Sequence, residues 1–207
     1  MVDRCERQFV QMGRLRNLTT WDEAVRSQQI EKAVFLAAFI VRKLADSYRL
    51  SVQMEEAQVP VDVFSILSAE LMPDSWSWDQ LDRFYDMALS ERQRVPLRHL
   101  VNWIIHSYVF IPEVRSDHAG SEIVTGFFCN SDRLRGERLV RVSWLDFRRV
   151  LRAVAEDEVI QMVTVRDGRG REVQLRSSEP IKAGDVAAFY DRHAEFVHEV
   201  RDRPPVE

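Results

Sequence analysis

Cysteine is nearly absent: Cys5 and Cys129 are the only two in 207 residues, far apart and in no CxxC or Cys/His ligand pattern. Neither a disulfide framework nor a structural zinc site is expected. The sequence has no GxxxxGKS/T and no GxGxxG, and Asp167-Gly168-Arg169-Gly170 falls between two strand-like runs as a hairpin turn, not a phosphate cradle. A GxSxG nucleophile elbow is missing too. His193 and His198 are five residues apart, which turns them about 140° from each other on a helix and gives no shared metal-binding face. No Asp/Glu pair stands in a setting that marks it for acid–base work. No apolar run approaches the roughly 18 residues that span a bilayer; the longest, AVFLAAFIV at 33–41, is half that. The charged opening MVDRCERQFV lacks the apolar stretch of a secretory leader. These absences lead to the expectation of a cytoplasmic protein with no metal, no cofactor and no membrane contact.

The residues present are those of a globular protein. Hydrophobic residues make up 45% and charged residues 30%, enough to bury a substantial core. The net charge of −4 hides an asymmetry: residues 133–176 hold 11 Arg and no Lys against 7 Asp or Glu. Arg suits phosphate or carboxylate, but the interleaved acids favour a salt-bridged surface over a phosphate track. Arg148, Arg149 and Arg152, on the outer side of one amphipathic segment, are the candidates for phosphate or acidic-partner contacts.

Local patterning divides the chain into a polar lead (1–19), a helical part (20–112), a small α+β part (113–180) and a C-terminal helix with a tail (181–207). Thr20-Trp21-Asp22-Glu23 reads as a capping box that opens a long helix to about Leu50. Its middle is apolar nearly all round, which predicts a strut surrounded by other helices. A short helix at 61–71 follows. Ser77-Trp78-Asp79-Gln80 then opens another, with Leu81, Phe84, Tyr85, Ala88 and Leu89 at helical spacing, and ERQRVP turns the chain into a fourth. The 122–130 and 139–142 runs predict a hairpin. Ser143-Trp144-Leu145-Asp146 starts a helix carrying Phe147, Val150, Leu151 and Val154, and two more strands precede an amphipathic helix from about Asp185 that carries Val186, Phe189, Tyr190, His193 and Val197. The expected architecture is α+β: an N-terminal antiparallel helical bundle, a small β-β-α-β-β module and a C-terminal helix.

The stretch 95–111, VPLRHLVNWIIHSYVFI, is the most informative. Pro96 suits a first helical position, and Leu97, Leu100, Val101, Ile104, Ile105 and Tyr108 recur at three- and four-residue spacing. Arg98, His99, Asn102 and His106 fall on the other side, with Trp103 and Phe110 beside them. Such a face predicts an interface through Trp103, Phe110, His99 and Tyr108, either in a homodimer or with a protein partner.

Asn102, His106 and Tyr108 also carry a resemblance to the HEPN superfamily, helical-bundle domains of toxin–antitoxin and antiviral systems, many of them metal-independent ribonucleases. The family motif is Arg, a spacer of roughly four to six residues often starting with Asn, then His, followed in one branch by any residue and Tyr. Val101 stands where the family has its Arg. Arg98 is the nearest substitute, about 12 Å along a helix axis from His106. The resemblance covers residues 20–111 at most. It implies a divergent bacterial defence or toxin–antitoxin component. The alternative it implies is a nuclease acting on RNA, with His106 as general acid or base, Arg98 stabilising phosphate charge and Asn102 orienting it at a dimer interface.

Overall fold

The computed structural model describes residues 20–68, 70–74, 76–77, 79–116, 122–166 and 170–193, with side chains from Val25 onward. The side chains of the Thr20 capping box, the Asp167–Arg169 turn, Val197 and His198 lie outside these residues.

The expected helical bundle is replaced by a five-stranded antiparallel sheet. A long helix α1 (Thr20–Asp46) and a single turn α2 (Val52–Glu55) lead into strand β1 (Gln58–Ser65). After one more turn, α3 (Leu81–Phe84), come β2 (Glu91–Pro96), helix α4 (Leu97–Ile105) and β3 (Ser107–Ser116). Strands β4 (Glu122–Ser131) and β5 (Arg138–Ser143) complete the sheet before helix α5 (Trp144–Glu156). The strand order is β2-β1-β5-β4-β3, so α4 carries the chain from one edge strand to the other. A separate hairpin, β6 (Gln161–Arg166) and β7 (Glu172–Ser177), and helix α6 (Ala183–His193) follow.

Three readings fail for physical reasons. The first half of the 61–71 helix is instead strand β1, whose β-branched Val59, Val61 and Val63 point to one face while Asp62 and Phe64 point to the other. Val63 and Phe64 are both buried because both sheet faces are covered there, which erases the alternation that marks a strand. The 77–89 helix is only the α3 turn, and ERQRVP is strand β2, paired along β1 from Gln58↔Pro96 to Val63↔Glu91. The fourth helix stops at Ile105, and Tyr108, Val109, Phe110 and Ile111 continue as β3.

α1, α4 and α5 cover one face of the sheet. Ile30, Val34, Ala38 and Val41 of α1 and Leu97, Leu100, Val101 and Ile104 of α4 meet Val59, Val61, Phe127, Cys129, Val140 and Val142 of the strands. Each Val, Leu, Ile or Phe among them contributes about 1.5–3 kcal/mol when fully buried. α5 begins as expected: the Ser143 hydroxyl accepts from the Asp146 N–H at 3.1 Å, and Phe147 and Val154 turn inward. Phe84 and Tyr85 cover Phe64, Val109 and Leu139 on half of the other face. The C-terminal hairpin is bolted on by buried Arg176, which donates to the Leu50 carbonyl at 2.8 Å and to Glu55 at 2.9 Å. Asp157 adds a second tie, accepting from the Ser51 N–H at 2.7 Å. No helix among the described residues is long and apolar enough to cross a membrane.

Candidate functional site

Arg98, Asn102 and His106 follow one another at four-residue intervals along α4 and its C-cap, but their surroundings differ. α4 buries Leu97, Leu100, Val101 and Ile104, so Val101 is a core residue. Arg98 and His99 lie on the exposed side of α4, His99 with its ring 6.5 Å from half-buried Trp103. Asn102 accepts a hydrogen bond from the Arg42 guanidinium, which also holds Asp46 at 2.9 Å, so its amide serves the contact between α1 and α4. His106 is exposed beyond the last helical residue. Tyr108 projects from β3 with the Arg135 guanidinium 4.2 Å above its ring. Phe110, expected at an interface, is instead buried, stacked on Phe127 at 5.2 Å and edge-on to Phe35 at 5.5 Å. Asn102 is thus committed to Arg42, while Arg98 and His106 stay exposed one turn to either side of it.

Other candidates are equally occupied. Burial pushes the Cys129 thiol up to about 12, which removes it as a nucleophile. Burial likewise raises the Tyr85 phenol to about 12, although Asn130 donates to it at 2.7 Å. Arg149 lies 3.6 Å from Asp146 on the exposed side of α5, and Arg148 and Arg152 are engaged as well. A shallow cavity of about 310 Å³ beside Met72, Trp76 and Arg83 includes none of the expected residues. No group of three or more His, Cys, Asp or Glu among the described residues is placed to hold a metal ion.

The structure adds a polar lattice on the face of the sheet opposite α1 and α4, beyond the part that Phe84 and Tyr85 cover. Arg92 of β2 bridges Asp62 and Asp146 at 2.8 Å each, and Arg141 of β5 bridges Asp62 at 2.8 Å and Glu113 of β3 at 2.6 Å. Glu113 also accepts from Thr125 at 2.7 Å and Arg115 at 2.8 Å. The Glu113–Arg141 pair spans β4 at Gly126, where a Cβ would come within 2.5 Å of the Val142 carbonyl oxygen and 3.2 Å of the Glu113 carboxylate. Burial alone would raise the Glu113 carboxyl, but hydrogen bonds from Arg141, Thr125 and Arg115 hold it below the ordinary value. Asp146 follows the same balance, with Ser143 and Arg92 outweighing burial. Every carboxylate of the lattice is already paired, so its work is to staple strands.

One surface is left without such closure. Viewed down α1, Ile30, Val34, Ala38 and Val41 face the core, while Lys32, Leu36, Phe39 and Lys43 fall on the opposite side. Leu36 is 55% and Phe39 60% exposed. Among the described residues, the run that predicted a helix surrounded on all sides is thus covered on one side only. No family model, curated protein or solved structure matches the chain.

Proposed function

We propose that this chain is a cytoplasmic partner-binding protein that docks another protein through the outward face of α1. The observation that carries this reading is the exposure of Leu36 and Phe39 at the middle of a helix whose other side is core. Apolar side chains at the centre of such a face, bordered by charge, have the anatomy of an interface core and rim. The ribonuclease alternative rests on the resemblance alone, and Asn102, which it needs to orient a phosphate, is held by the Arg42 guanidinium.

The test is a Leu36→Ser/Phe39→Ser double variant of the full chain, used as bait in cells that express the protein natively. The variant should keep a Tm within a few degrees of the parent, because neither side chain is core, and should lose the partners the parent captures. An unchanged set of captured partners would refute the reading, as would a cooperative unfolding transition lost at ordinary temperature.

A further inference from the structure

The outward side of α1 has a pattern that specifies what it takes. Lys32, Leu36, Phe39 and Lys43 are spaced four, three and four residues apart, and Gln29 and Val25 extend the same stripe by three and four. That is the spacing of a seam that receives a second helix, with side chains of each helix seated between those of the other. The centre of the seam is apolar and both ends are ammonium groups, about 16 Å apart along the axis.

The lysines are distinctive. The chain has three Lys against 26 Arg, and two of the three stand here. Both are exposed and, among the described residues, neither is held by an acid. Arg92 and Arg141 of the sheet and Arg176 of the C-terminal hairpin are, by contrast, committed to carboxylates of the chain itself. The ends of the seam are therefore its uncompensated charges.

We infer, resting on the docking reading above, that the α1 seam binds an acidic amphipathic helix of another protein, bearing two apolar residues between two carboxylates in the pattern acid-x3-apolar-x2-apolar-x3-acid. Because four-three-four reads the same in both directions, the pattern fits a partner helix running either way. A second copy of α1 does not meet it. Antiparallel pairing sets Lys32 against Lys43 of the copy at both ends, and parallel pairing sets each Lys against itself, so like charges meet in either case.

Two synthetic helical peptides test this against the full chain by fluorescence polarisation. Both carry Leu at the two apolar positions; one has Glu and the other Lys at the flanking positions. The Glu peptide should bind at least about tenfold more tightly at low salt, with the difference shrinking as salt rises. Lys32→Glu/Lys43→Glu should reverse the preference. Equal binding of both peptides, abolished by Leu36→Ser/Phe39→Ser, would overturn the acidic partner while leaving the docking face intact. Binding of neither peptide would overturn the acidic helix as occupant. Sedimentation of the parent as a dimer that dissociates in Leu36→Ser/Phe39→Ser would assign the face to a second copy instead.

Discussion

Replacing Arg141 by Met removes the guanidinium that ties β1 to β3 across two intervening strands, while keeping the length of the aliphatic stem. Its side chain is 19% exposed and its partners Asp62 and Glu113 are 19% and 13% exposed, so this pairing is largely shielded from water. Breaking a fully buried pair from one side costs about 3–5 kcal/mol, because the abandoned carboxylate stays desolvated. Here Asp62 keeps Arg92, and Glu113 keeps Thr125 and Arg115, which brings the expected loss down to about 2–3 kcal/mol. For a chain of this size that is a drop of about 4–12 °C in Tm. Urea denaturation at neutral pH, followed by circular dichroism, reads it directly. The pH dependence gives an independent check. Glu113 and Asp146 have lowered folded values, so their contribution is fully present above the unfolded carboxylate range of about 4–4.5 and is lost as pH falls through the folded values. The parent should therefore lose stability steeply as pH falls below about 5, and Arg141→Met should lose less. A loss under about 0.5 kcal/mol at neutral pH, or an acid limb identical to the parent's, would show that the lattice is only a solvated surface.

Two further substitutions probe the frame. Gly126→Ala should destabilise by about 1–3 kcal/mol, since its Cβ meets backbone at Val142, whereas Gly184→Ala, in a helix with open space around it, should be neutral or stabilising; equal effects would remove the reason given for Gly126. Arg176→Met should raise hydrogen exchange in β6 and β7 far more than in β1–β5, because Arg176 joins the hairpin to Leu50 and Glu55; a uniform rise across the chain would contradict that latch.

What was legible in the sequence was local. The start of α5 could be read because Ser143 caps it three residues from Asp146, and the β4–β5 hairpin because its two strands are joined by one short turn. The inner face of α4 was legible from Leu97 to Ile104, where helical spacing holds. β1 was not, because Phe64 and Val63 are covered on opposite faces and the run loses its alternation. Its central partner is β5, with Asp62 opposite Arg141 across 79 positions of sequence, a pairing no local window contains. The lattice of Arg92, Asp62, Arg141 and Glu113 was invisible for the same reason: its charges share a face only once those strands are paired. The α1 seam was nearer to hand, since Lys32 and Lys43 bracket the apolar run in the sequence itself. Reading that run as buried on every side hid the outward face.

The docking face is tested most directly by the accessibility of position 29, an exposed Gln on the same stripe of α1. In a Cys5→Ser background, a Gln29→Cys variant keeps Leu36 and Phe39 and leaves Cys129 as the other thiol, and that one is fully buried. The thiol at position 29 should react rapidly with a maleimide in the purified protein and be protected in cells that express the partner natively. Equal reactivity in both settings, or protection already present in the purified chain, would contradict the assignment of α1's outward face as the surface through which this protein acts.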